Sequence, residues 1–324
     1  MKTFVVYHCF LVKNWKSLVI EQLSRINNSG LLAKADKLNC IVVDLYNKRD
    51  EFIEATKFFP NIEYEFYNQN AYELYAITKV WELGQQHDCK ILYLHTKGVY
   101  NDYVKVDKDA VCDLKVSSIR DWRLMLEHFC IDKWEENLNR LELVDMVGCS
   151  CNSNWWWGNF WWVRSSYLRT LEKPANSTRW GYEAWVNERG LASKFEHHHL
   201  NFIPYFTDYP EVFYKDGQHL KYKDQKLIVH SALYGNNGVQ LDEGWEEAEP
   251  TFNNVIDIVR KNLQENNNKF ISLSVNNDPM GGDPIFKRRK GLFIKYSFEN
   301  DPDKIYNLHC AEGNRLLFPW FNVA

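Results

Sequence analysis

The chain has 324 residues, enough for one large domain or two modest ones around a sizeable core. Its formal charge of -4 at pH 7 argues against a nucleic-acid partner, because neutralising phosphates asks for a basic surface. No apolar run approaches the roughly 18–20 residues of a membrane span, and His8 and Lys13 interrupt the N-terminal apolar stretch, so a cytoplasmic globular protein without a transmembrane segment is expected.

In chain order, Phe4–Tyr7 is a β-branched apolar run that reads as a strand, followed by a helix from about Trp15 to Asn27 with Leu18, Val19, Leu23 and Ile26 on one face. Asn28-Ser29-Gly30 ends that helix. Leu38–Val43 reads as a second strand with Asp44 at its carboxyl end, and Ile62–Tyr67 alternates as a third. Ala71–Gly84 has helical spacing at Leu74, Ile77, Thr78 and Trp81, with Glu73 in its first turn. Lys90–Leu94 is a buried strand that runs into His95-Thr96-Lys97-Gly98. Strands alternating with helices in this way predict an α/β fold, a Rossmann-type, mostly parallel sheet with helices on both faces. Ligands bind such sheets outside the carboxyl ends of the strands, which places His8, Asp44 and the HTKG loop along one rim.

Further on, a loop over Val99–Val116 leads to a helix from Ser117 to about Cys130, a second helix at Trp134–Leu141 and a strand at Asp145–Cys149. The stretch NWWWGNFWWVR, Asn154–Arg164, reads as a loop entering a strand. Arg179–Glu188 is a helix and Lys226–His230 a late strand. After the acidic connector Asp242–Glu249, Phe252–Leu263 reads as an amphipathic helix, and alternating segments around turns predict a small antiparallel β unit. The boundary is placed near residue 250, giving a domain over 1–250 and a β-rich unit over 251–324. The eight cysteines show no framework and read as buried thiols.

Aromatic residues make up 15% of the chain and include 13 tryptophans, a surface chemistry that carbohydrate recognition uses when indoles stack on pyranose C–H faces. Lys97 offers a compact positive charge, Thr96 a hydroxyl and His95 a ring nitrogen, while Gly98 allows close backbone approach. Together they suit a diphosphate, against the plainer alternative of a surface loop. Asn159 puts an amide among tryptophans, and strand alternation sends Trp161 and Trp162 to opposite sides, so at most one of them faces a site. Glu183, between Tyr182 and Trp185, is either a general base or the structural partner of Arg179. His230 ends an apolar strand and suits a phosphate, a metal or a plain hydrogen bond. The run His197–His199 cannot converge on one ion, since adjacent side chains diverge.

The ordered motifs Tyr7-His8, SGL at Ser29–Leu31, LYLHTKG at Leu92–Gly98, DWR at Asp121–Arg123, VDMVGC at Val144–Cys149, GNFWWVR at Gly158–Arg164 and YEAW at Tyr182–Trp185 resemble a group of glycosyltransferases found in polysaccharide-building gene clusters and in large DNA viruses. The resemblance covers roughly residues 1–240 and is similar in plan to the GT-A nucleotide-sugar enzymes. It implies transfer of a hexosyl or pentosyl group from a nucleoside-diphosphate sugar of UDP or GDP type to a glycan hydroxyl, with inversion. His8, Asp44, Glu73 and His230 then face the donor, and His95, Thr96 and Lys97 face its diphosphate. Asn159, Trp161 or Trp162, and Arg164 hold sugar or acceptor, while Glu183 is the base.

The position of the usual metal-binding aspartate pair reads His95-Thr96-Lys97, so Mn2+ or Mg2+ is either absent or held elsewhere, by Asp44, Asp145 or His230. A non-catalytic lectin-like protein is the first competing reading and would release no nucleoside diphosphate. A nucleotidyl or phosphoryl transferase is the second, disfavoured by the missing P-loop and carboxylate cluster.

Overall fold

The computed structural model describes residues 1–99, 116–152, 155–175, 178–198, 207–215, 217–236, 251–288 and 290–319. The loop expected beyond Val99 and the acidic connector Asp242–Glu249 lie outside the described residues. Among the described residues no helix is long and apolar enough to cross a membrane.

The chain divides into two compact units, Met1–Tyr103 with Arg123–His199, and Val104–Trp122 with Leu200–Ala324. In the first unit the elements run β1 (Lys2–Phe10), α1 (Trp15–Asn28), α2 (Leu31–Lys34), β2 (Lys37–Val43), α3 (Arg49–Thr56), β3 (Ile62–Tyr67), α4 (Leu74–Gln86) and β4 (Cys89–His95). Helix α5 (Val116–Glu127) gives its last turn to this unit and leads through a π-helical turn, His128–Asp132, into α6 (Trp134–Arg140). There follow β5 (Met146–Gly148), β6 (Cys151–Asn152), β7 (Trp155–Trp156), β8 (Trp161–Arg164), α7 (Ser165–Leu168), α8 (Arg179–Ala184) and β9 (Lys194–Glu196).

Seven of these strands form one sheet in the order β3-β2-β1-β4-β8-β5-β9. The first four are parallel, and the near-continuous apolar sequences of β1, β2 and β4 are what a strand covered on both faces requires, whereas β3, at the sheet edge, alternates. Strand β8 runs antiparallel to β4, pairing Trp161 with Tyr93 and Arg164 with Lys90. That reversal brings the turn preceding β8 to the carboxyl end of β4, onto the rim where the parallel strands also end.

The face carrying Tyr93, Trp161 and Val163 packs on α4 and α7 through Ala76, Ile77, Val80, Leu83 and Leu168. The buried stripe of α4 is thus turned slightly from the expected Leu74-Ile77-Thr78-Trp81, and Trp81 stays half-buried with its indole bonded to the Leu171 carbonyl at 3.1 Å. On α1 the expected face is buried, joined by Trp15 and Gln22.

The second unit contains β10 (Leu227–Asn236), β11 (Thr251–Asn254), α9 (Ile256–Glu265), β12 (Ile271–Ser274), β13 (Gly291–Phe298), β14 (Asp301–Ala311) and β15 (Arg315–Phe318). An antiparallel sheet of order β11-β10-β13-β14 and a β12-β15 pair confirm the β-rich character expected after residue 250. The boundary itself is corrected. Strand β10 lies before residue 250, yet its ladder runs along β13 from Leu227↔Phe298 to Gly235↔Gly291, so its backbone hydrogen bonds commit it to the C-terminal unit.

Candidate functional site

Four chain segments meet at the carboxyl rim of the first unit. Glu73 occupies the N-cap position of α4 without capping its own helix, which leaves its carboxyl turned elsewhere. Asn159 donates from Nδ2 to Glu73 Oε2 at 2.5 Å and accepts at Oδ1 from Trp161 Nε1 at 2.6 Å. An indole N–H only donates, so Trp161 fixes which way the Asn159 amide faces, and the amide must then donate to Glu73. The turn that presents Asn159 is left-handed at both Gly158 (φ 82°) and Asn159 (φ 55°), a pairing for which Gly and Asn are the tolerant residues.

His95 closes the other side. Its Nε2 lies 2.9 Å from the Gly158 carbonyl, and a carbonyl only accepts, so Nε2 carries the proton. Nδ1 is then a lone pair, 3.9 Å from Glu73 Oε1. Burial, and next the Lys97 charge, hold the His95 pKa well below the usual histidine value, which keeps the ring neutral.

Glu73 is buried, and its pKa is raised to about 8. Desolvation is the largest cause and repulsion from Glu183 the second, while the Asn159 hydrogen bond, Lys97 and Arg179 pull the other way. The helix N-terminus also favours the anion, by typically 0.3–1 kcal/mol; burial outweighs it. At neutral pH Glu73 is therefore predominantly a carboxylic acid, set beside the hydroxyl of Tyr93, whose own pKa burial and the Glu73 charge raise. Glu183 comes from α8, capped at its start by Thr178 Oγ1 accepting from Gly181 N at 3.3 Å. Arg179 pairs with it at 3.4 Å.

The remaining expected site residues divide. Lys97 follows β4 in a turn closed by Val99 N to Thr96 O and lies half-buried, its charge felt by both Glu73 and His95. His8 sits beside His95 across the β1–β4 ladder, buried, with Nδ1 lacking a hydrogen-bond partner and its pKa lowered by burial to about 4. Thr96 is buried, and its hydroxyl accepts from Phe10 N at 3.1 Å, tying the ends of β1 and β4 together. That bond shapes the loop and occupies one lone pair of the hydroxyl, whose own hydrogen is left to donate. Asp44 ends β2 and accepts from Tyr46 N at 3.1 Å. His230 belongs to the second unit, where Nε2 meets Ser297 Oγ at 2.9 Å.

Three acceptor-side expectations are corrected. Trp161 and Trp162 are both buried, Trp162 bonding the Cys130 carbonyl on the opposite sheet face, and neither offers an indole face to a ligand. Emptying a site of that kind costs roughly 3–5 kcal/mol. Arg164 lies at the far end of β8, against Asp145 at 2.6 Å. The DWR motif has a structural role instead: Arg123 and Arg25 flank the fully buried Glu127 at 3.0 and 3.2 Å. Gln22 Nε2 also donates to Glu127, at 2.9 Å, and accepts at Oε1 from Tyr7.

Among the described residues, His95, Thr96 and Lys97 do not themselves supply the carboxylate pair that would hold a divalent cation. His95 uses Nε2 on a carbonyl, Thr96 is buried with one lone pair taken by Phe10 N, and Lys97 is a cation. Of the alternatives, Asp145 is held by Arg164 and Ser193, at the Arg164 end of β8. Among the described residues no three His, Cys, Asp or Glu side chains are grouped as a metal needs.

No family model and no curated protein matches the chain. Among solved structures, a cytidylyltransferase from Leptospira borgpetersenii serovar Hardjo-bovis is similar over 59% of this chain and 71% of its own, at 13% identity and a TM-score of 0.33. A 4-diphosphocytidyl-2C-methyl-D-erythritol synthase from Anaerococcus prevotii covers 62% of this chain and 90% of its own, at 6% identity and a TM-score of 0.36. Residues 1–349 of TarS from S. aureus cover 60% and 58%, at 13% identity and a TM-score of 0.28. Likenesses at these scores carry no weight for activity.

Proposed function

We propose that the chain transfers a sugar from a nucleoside-diphosphate donor, of UDP or GDP type, to a hydroxyl of a glycan. The observation that supports this most is the electrostatic pairing at the rim: two carboxyls, Glu73 and Glu183, share one field with two cations, Lys97 and Arg179. Group transfer from a diphosphate needs an anionic base on one side and positive charge on the leaving group on the other.

Glu73, a neutral acid near pH 7, is unsuited to take a proton. Glu183, paired with Arg179 at 3.4 Å, takes that role. The acceptor oxygen forms a bond to the anomeric carbon, the bond from that carbon to the diphosphate oxygen breaks with its electron pair, and the acceptor proton passes to Glu183. Lys97 stabilises the charge that collects on the departing diphosphate. Glu73 donates its carboxyl hydrogen to a sugar hydroxyl, and attack from the Glu183 side inverts the anomeric carbon.

The test is the product of a Glu183→Gln variant. Transfer should fall by roughly 10²–10⁴, the usual worth of a general base, while the donor still binds. Near-normal transfer by that variant removes the base assignment and reopens retention.

A further inference from the structure

If neither Trp161 nor Trp162 meets a sugar, the aromatic surface has to be sought elsewhere. Helix α8 carries Arg179, Trp180 and Glu183 in one and a half turns, with Trp180 and Glu183 three residues apart and so neighbours on the helix surface. The other large aromatics of this segment, Tyr182 and Trp185, are buried, whereas Trp180 is 41% exposed. A second indole comes from a different element. In the two-stranded β6–β7 ladder, alternation buries Trp156 in the core and leaves Trp155 half-buried. The rings of Trp155 and Trp180 lie 6.5 Å apart at 36°, and the Arg179 guanidinium sits 5.2 Å from the Trp180 ring while also pairing with Glu183.

We infer that Trp155 and Trp180 form an acceptor platform on which a pyranose ring of an oligosaccharide stacks, with Arg179 serving its hydroxyls. A lone exposed tryptophan would need no explanation. This one pairs with a second indole and shares a six-residue helix with the candidate base. A sugar stacked on Trp180 is therefore positioned by the same element that presents Glu183. The tilted indole pair suits C–H faces, and the adjacent charges suit hydroxyls, the combination expected of a carbohydrate site. The inference rests on the transferase reading for the meaning of the bound sugar, though not for the binding itself.

Calorimetric titration of the full chain with cellotetraose, maltotetraose, chitotetraose and mannotetraose tests it without any turnover. At least one should bind at millimolar concentration, and Trp180→Ala and Trp155→Ala should each weaken it by roughly tenfold, as loss of an aromatic stacking contact does. Trp180→Phe should retain most of the affinity, and Phe58→Ala, removing an exposed aromatic elsewhere in the same unit, should change nothing. Absence of binding by all four sugars, or binding that survives both alanine variants, overturns the platform. Donor binding is measured separately, so failure here leaves the donor reading standing, and failure of the donor reading leaves this result interpretable.

Discussion

Asn159 holds the Glu73 carboxyl at 2.5 Å with an amide whose orientation Trp161 dictates, so a buried indole decides where the proton of a buried acid can reside. With Oε2 occupied by a donor, the proton of neutral Glu73 belongs on Oε1, facing the His95 lone pair.

A pH dependence follows. The Glu73 pKa rises from an ordinary 4.5 to about 8 on folding. Between those values the folded chain holds a proton that the unfolded chain has released, so stability must fall as pH rises through this window, by about 1.4 kcal/mol per unit where the difference is fully developed. Below the lower value both states are protonated and the effect is flat. Glu73→Gln mimics the neutral acid, with an oxygen for Asn159 and an amide for His95. Denaturant titrations should find it close to the parent near pH 4 and more stable above pH 8; equal pH slopes for the two would contradict this.

The buried Glu127 gives a second expectation. The Glu127 side chain has no exposure, and Arg123, Arg25 and Gln22 all reach it. Arg123→Met leaves that carboxyl short of a partner and should destabilise by roughly 3–5 kcal/mol. The double variant Arg123→Met with Glu127→Leu should recover part of the loss. Urea midpoints measure both.

Helix packing gives a third. A Cβ on Gly84 of α4 would stand 2.7 Å from Leu168 Cδ1 and 2.8 Å from Leu168 Cβ on α7. The nearer atom ends a flexible side chain, but the second cannot move without its backbone. Gly84→Ala should therefore cost about 1–3 kcal/mol in spite of alanine's better helix propensity. Combining it with Leu168→Ala, which vacates the space, should reduce the penalty of adding the methyl.

How far the sequence carried can be judged from particular elements. Strands β1 to β4 and helices α1 and α4 were legible, because each is a long segment whose apolar spacing matches its period. Glu73, His95, Lys97, Asn159 and Glu183 were legible as chemistry at or near element ends, and they do share one rim. The orientation of β8 was not, since antiparallel pairing of Trp161 with Tyr93 is a long-range choice that local spacing leaves open. Alternation did say that Trp161 and Trp162 point apart, but burial of both depends on what covers each sheet face. The α3 helix went unread, with Phe52 and Thr56 as its only buried positions, and the stretch expected to start a helix at Phe252 begins as β11, paired to β10, before α9 opens at Ile256.

The proposed role of Lys97 is to neutralise the diphosphate of a nucleotide sugar. It is met most directly by thermal shift of the parent chain and of Lys97→Ala against UDP-, GDP-, CDP- and dTDP-sugars, each with and without manganese. At least one donor should raise the parent's melting temperature in proportion to ligand excess, without needing manganese, and Lys97→Ala should melt near the parent yet lose most of the shift. No shift with any donor, or a shift undiminished in Lys97→Ala, would contradict it.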